Sequence, residues 1–290
     1  MRTYPDCFPC FFRQANIALE QARIDEDRRI ELLRDISRVL SKCDFSNSPA
    51  HVTTHIHRYI REKIGGDPFK DIKSSYNRKV LDIYDDMKSL ITESEDPLCT
   101  ATRIAIAGNI IDFGIFTSVD MEGTIEKALG EKIAVDDYYL FRDDAGKAGS
   151  VLYLLDNAGE IVFDKLLIET LMASGMDVTA VVKGQPVLND AVYEDAHEIG
   201  LDKICRVIDN GSDAVGTIIS WCSEDFKREF SDAELVISKG QANFETLLHE
   251  EHDNLYFLFQ AKCSVIAGHL GLDRGAMILA RGLEYWKSGV

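Results

Sequence analysis

Asp156, Asn157 and Asp190 are the residues whose chemistry is easiest to read from the chain. Each supplies a hard oxygen donor and follows closely on an apolar run. Two carboxylates and an amide carbonyl suit Mg²⁺ or Mn²⁺, with Co²⁺ or Ni²⁺ as further candidates, and three protein ligands leave coordination positions for water and a phosphate oxygen. A single Asp or Asn at such a place is more often a helix N-cap. Its repetition after successive apolar runs shifts the balance towards a site. Lys239, in Ser238-Lys-Gly-Gln-Ala-Asn243, stands beside a Gly turn, with Gln241 and Asn243 adding amide donors, and could receive phosphate oxygens at a helix start. Lys262 follows the apolar Leu255-Tyr-Phe-Leu-Phe259 and is a second candidate anion contact. For both lysines the plain alternative is a solvated loop residue.

These residues need a common edge. Val151 to Leu155, Val178 to Val182, Ile204 to Ile208 and Leu235 to Ile237 are short apolar runs ending on polar loops, the pattern of buried parallel strands. Open α/β sheets bind ligands at the carboxyl ends of such strands. There the loops deliver Asp156-Asn157, Asn189-Asp190, Ser212-Asp213 and Ser238-Lys239. Asp209-Asn-Gly-Ser-Asp213 reads first as a turn, with Ser212 and Asp213 as possible supporting contacts. Upstream, from about Cys7 to Met121, apolar residues recur at helical spacing. The expected organisation is a helical domain over 1–120, a charged transition over 121–149, and a three-layer α/β/α, Rossmann-like domain with a largely parallel sheet over 150–290.

Composition narrows the partners. With 290 residues and 46% hydrophobic content the chain can bury a sizeable core, and its net charge of −17 argues against nucleic-acid phosphates and anionic membranes. A small phosphorylated metabolite is not excluded, because a local lysine or bound cation can reverse the sign inside one cleft. The first residues lack an apolar signal core and no run is long enough for a membrane span, which points to the cytoplasm. Seven scattered cysteines do not resemble a secreted disulfide framework. Cys7-Phe-Pro-Cys10 could bind metal or carry redox chemistry, but zinc needs about four ligands, and His51, His55 and His57 are the candidate partners. Cys263 is an alternative partner for the pair.

Six segments in this order resemble the DUF89 family of metal-dependent damage-control phosphatases, in its prokaryotic branch with an amino-terminal Cys-x-x-Cys and a distal Lys-Cys. They are Cys7-Phe-Pro-Cys10, Gly108-Asn-Ile-Ile-Asp-Phe-Gly114, Asp156-Asn-Ala-Gly-Glu160, Gly184-Gln-Pro-Val-Leu-Asn-Asp190, Ser238-Lys-Gly-Gln-Ala-Asn243 and Lys262-Cys263. The resemblance implies a divalent cation on Asp156, Asn157 and Asp190, phosphate on Lys239, and an approach of Asn109 and Asp112 to the cleft. It also implies hydrolysis of phosphate monoesters, such as sugar phosphates or damaged metabolites. On this reading Asp156, Asp190 and Lys239 carry catalysis, while Asn109, Asp112, Asn243 and Lys262 contact the substrate. The competing readings are a non-catalytic binder of a phosphorylated metabolite or nucleotide, and a metal or redox protein built on Cys7 and Cys10.

Overall fold

A computed structural model describes residues 1–110 and 121–282. Asp112 lies outside the described residues. Its helices are α1 (Cys7–Gln21), α2 (Glu26–Leu40), α3 (Pro49–Ile64), α4 (Lys70–Leu81), α5 (Tyr84–Thr92), α6 (Pro97–Ile110), α7 (Met121–Gly130), α8 (Tyr138–Ala145), α9 (Glu160–Ala173), α10 (Tyr193–Glu198), α11 (Glu224–Asp232), α12 (Gln241–Leu247) and α13 (Ser264–His269). The strands are β1 (Val135–Asp136), β2 (Ser150–Leu154), β3 (Asp177–Val182), β4 (Arg206–Asp209), β5 (Leu235–Lys239), β6 (Leu255–Gln260) and β7 (Met277–Arg281).

The strands make one sheet in the order β1-β7-β6-β5-β2-β3-β4. Every pairing is parallel except β6 with β7. From β2 the chain first builds outward through β3 to β4, then crosses back to lay β5 against the other side of β2. The carboxyl ends of β2 and β5 therefore flank the point where strand order reverses, the preferred ligand crevice of such sheets.

Side-chain alternation divides the core into two layers. Val151, Tyr153, Val178, Ala180, Leu235 and Ile237 face one way and pack with α6 and α9, while Leu152, Leu154, Val181, Val236 and Phe257 face the other and pack with α11, α12 and α13. At Gly108 an added β-carbon would stand 2.7 Å from the Phe163 ring. Its absence lets α6 lie close on α9, which carries the next residue, Asn109, to the strand ends.

The helical half does not form one separate body as expected. Among the described residues only α1, α2 and α3 enclose their own core, around Phe11, Leu19, Leu32, Ile36 and Ile56. Tyr76 and Val80 of α4, Ile91 of α5 and Ile104 of α6 join the core of the sheet. The physical reason is coverage: both faces of a mostly parallel sheet must be buried, and α4 to α6 supply part of one layer. Among the described residues no helix is long and apolar enough to cross a membrane.

Candidate active site

Asp156 and Asn157 leave β2 and enter the turn before α9. This turn is fixed from three sides. The Ala191 N–H donates to the Asp156 carbonyl at 2.8 Å, the Ala158 N–H to the Asn189 carbonyl at 2.9 Å, and the Gly159 N–H to Asn77 Oδ1 of α4 at 2.7 Å. A short antiparallel bridge joins Asn157 to Asp190, so the loops after β2 and β3 are locked side by side. The capping alternative for Asp156 and Asn157 does not hold, because α9 is capped at Gly159 without a side-chain hydrogen bond.

The three donors differ in their partners. Asn157 Nδ2 donates to Asp156 Oδ2 and to Glu160 Oε2, both at 2.9 Å. Asn109 Nδ2 donates to the same two oxygens, at 3.3 and 2.9 Å, while its own Oδ1 accepts the Gln260 N–H at 3.1 Å. Asp190 lies with Oδ2 3.5 Å from Lys183 Nζ, and this buried oxygen has no hydrogen-bond partner among the described residues. Burial, followed by the nearby Glu160 and Asp190 carboxylates, raises the Asp156 pKa well above the usual range. Burial likewise lifts Asp190 to about 6, against the lowering effect of Lys183. Glu160 also feels burial, yet Lys239, Lys262 and its hydrogen bonds hold it below an ordinary glutamate.

A cavity of about 220 Å³ opens in front of Asp156, Asn157 and Asp190. Across it stand Cys7, Cys10 and Phe11 of α1 and Thr53 of α3. Its side walls include Gln241 and Glu245 of α12, with Lys262 and Cys263 from the loop after β6. The small three-helix unit thus roofs the strand ends. Gln241 Oε1 accepts the Lys262 N–H at 3.0 Å and fixes that loop.

The structure departs from the sequence expectations at several residues. Lys239 does not line the cavity: it is wholly buried, with Nζ donating to Glu160 Oε1 at 2.7 Å, Asp164 Oδ1 at 2.5 Å and the Ala105 carbonyl at 2.9 Å. All three ammonium protons are engaged, so the expected phosphate contact is replaced by an ion network under the floor. Lys239 ends a strand whose every residue is buried, and a buried ammonium requires anionic partners. Asn243 is corrected for the same reason. Its Nδ2 donates to the Lys239 carbonyl at 2.8 Å and its Oδ1 accepts from Thr217 at 2.8 Å. Asn109 reaches the cleft through Asp156 rather than by lining it. Lys262 lines the cavity wall. Ser212 is buried in its own loop and Asp213 pairs with Arg58 and Arg61, away from the cavity.

Glu160, Asp164, Lys183 and Glu245 also stand in or behind the site, although local sequence does not single them out. A signal exists for the first two: Glu160 and Asp164 sit four apart among the apolar residues of the first turns of α9, and two buried acids on one face require a cation. Cys7, Cys10 and Cys263 gather around the cavity, whereas His51 and His55 pack against Trp221. His57 is buried beside Phe69, and burial lowers it to about 3. No three of His, Cys, Asp and Glu among the described residues form a metal-holding group. The oxygen set at the strand ends counts only two acids, its third member being an amide.

Comparison with known proteins covers almost the full chain. Residues 3–278 match the damage-control phosphatase ARMT1-like domain. An uncharacterized protein of Methanocaldococcus jannaschii is 34% identical over 96% of this chain and 94% of its own. A damage-control phosphatase of Pyrococcus horikoshii is 33% identical over 97% and 98%, respectively. The crystal structure of a DUF89 family protein from Pyrococcus horikoshii superposes with a TM-score of 0.87 at 31% identity, covering 97% of this chain and 99% of that one.

Proposed function

The chain belongs to the damage-control phosphatase ARMT1-like family, also called DUF89, and from this premise we propose that it is a divalent-metal-dependent phosphatase acting on small phosphate monoesters, such as sugar phosphates or damaged phosphometabolites. The observation that carries the metal dependence is the convergence of Asp156, Asn157 and Asp190 at the β2–β5 reversal, with a buried Asp190 oxygen that among the described residues has only the Lys183 ammonium, 3.5 Å away, beside it. Asp156, Asn157 and Asp190 would hold the cation. Their all-oxygen chemistry suits Mg²⁺ or Mn²⁺, and Co²⁺ or Ni²⁺ also. Two buried carboxylates raised in pKa by burial, each with Glu160 adding to the rise, fit the same reading, because an added positive charge relieves both. When bound, such an ion neutralises the charge that builds on a phosphoryl group.

The remaining work falls to the chain itself. Lys262 would meet phosphate oxygens from the side wall, and the roof of α1 and α3 would limit water at the strand ends. Asn109 and Asn157 hold Asp156 Oδ2, leaving Oδ1 as the oxygen that can orient a water or approach phosphorus. The seven free cysteines fit a reducing, cytoplasmic setting.

Release of inorganic phosphate from a panel of sugar and metabolite phosphates tests the proposal, after chelation and then with each of the four cations restored. We expect release that depends on added cation and disappears in Asp190→Asn. Ligand protection of the fold by these phosphates, with no release under any cation, would instead establish a binding module.

A further inference from the structure

Asn157 can serve a cation only if its amide presents oxygen rather than nitrogen, and of the two carboxylates that hold its amide nitrogen one, Glu160, stands behind the cavity lining. Glu160 is fully buried on the first turn of α9. Its Oε1 accepts from Lys239 at 2.7 Å, and its Oε2 accepts from Asn109 and Asn157, each at 2.9 Å. A carboxylate so surrounded by donors can only accept. Turned the other way, the Asn157 amide would set its oxygen 2.9 Å from Glu160 Oε2 and 2.9 Å from Asp156 Oδ2, acceptor against acceptor. The observed orientation leaves Oδ1 without a hydrogen-bond partner among the described residues.

We infer that Glu160 is a positioning residue that fixes the Asn157 side chain with Oδ1 outward and so makes an amide into a cation ligand. The inference rests on the metal-dependent reading above. Lys239 and Asn109 extend the same function one step back, since their donated protons hold Glu160 in place. The arrangement follows a general rule of metal centres, in which a buried carboxylate behind a ligand sets the ligand's orientation.

The test is Mn²⁺ binding by calorimetry to the full chain, in a two-by-two set of Glu160→Gln and Asn157→Asp. Glu160→Gln keeps the shape but introduces an NH₂ group. Lys239 repels that NH₂ from one position, so it turns towards Asn109 and Asn157 and favours the flipped amide. Affinity should fall ~10- to 100-fold, the usual effect of losing such a partner, while thermal unfolding confirms a folded chain. An Asp at 157 offers oxygen at either end, so in the Asn157→Asp background Glu160→Gln should carry no penalty. An equal penalty in both backgrounds, or none in either, overturns the inference. If Glu160→Gln does not fold, ¹⁵N-labelled wild type decides: the Asn157 side-chain N–H₂ should exchange slowly both before and after Mg²⁺ is added, and rapid exchange before addition overturns it. Wild type that binds no Mn²⁺ sensitive to Asp190→Asn would bring down the metal reading itself, a different outcome.

Discussion

Gly240 sits against the Asp156 carboxylate so closely that a β-carbon built on it would stand 1.9 Å from Oδ2 and 2.2 Å from Cγ. The two residues leave adjacent strands at the reversal point, and Gly240 has φ +80°, a conformation L-residues rarely take. Asn109 and Asn157 both hold Oδ2, so Asp156 can make room only by giving up those contacts. Gly240→Ala should therefore displace Asp156, cost about 1–3 kcal/mol in backbone strain alone, and sharply reduce both Mn²⁺ affinity and phosphate release. Calorimetry and denaturant unfolding measure these. Wild-type binding in a folded Gly240→Ala chain would show that Asp156 is not held by this contact.

Lys239 marks a different division of labour from the one its loop sequence implies. Lys239→Met keeps the length of the side chain but leaves Glu160 and Asp164 buried without their cation. Breaking such a network by removing one partner costs about 3–5 kcal/mol, so the urea midpoint should drop strongly. Burial already lifts Asp164 to about 7, despite Lys239 beside it, and the substitution takes away that counter-charge. A normal midpoint combined with lost phosphate release would return Lys239 to the substrate.

What the chain made legible was the set of strand ends. The run that ends on Asp156-Asn157 marks a strand end because side-chain type changes there while burial continues, and Asp190 closes the polar loop that follows β3. Lys239 and Asn243 are not legible locally, because a lysine next to glycine looks the same whether it faces solvent or three buried acceptors. Only pairing it with Glu160 and Asp164, 79 and 75 residues away, tells the two apart. Cys7, Cys10 and Cys263 meet across the cavity for a similar reason: no local pattern connects α1 to the loop after β6. The antiparallel β7 and the assignment of α4 to α6 to the sheet's core follow from covering sheet faces, a constraint that periodicity along one helix does not express.

Lys262 is the cationic side chain on the cavity wall, and its charge lowers the pKa of Asp156 and Glu160. Lys262→Met should reduce kcat/KM by roughly 10- to 100-fold, the equivalent of a charge-assisted contact of about 1.5–3 kcal/mol. Cation affinity should hold or rise, since a positive charge leaves the neighbourhood. The half-buried position predicts little loss of stability. Unchanged steady-state kinetics would remove Lys262 from phosphate binding.

Glu245 supplies a pH dependence that can be isolated from the rest of the molecule. Burial raises its pKa from 4.5 to about 7, although it accepts hydrogen bonds from Gln241 Nε2 at 2.9 Å and from the Ala50 N–H at 3.2 Å. Because the folded value lies above the unfolded one, the fold favours the protonated acid. The stabilisation is complete below about pH 4.5 and is lost as pH rises through 7, with a total change on the order of 3 kcal/mol. Glu245→Gln is neutral at every pH and keeps an acceptor for Ala50 at the start of α3. Its stability relative to wild type should therefore increase between pH 4.5 and 7 and level off above. Denaturant unfolding of both proteins across that range measures the difference, and parallel stability curves would show that Glu245 ionises at an ordinary pH and does not bear on how the three-helix roof closes.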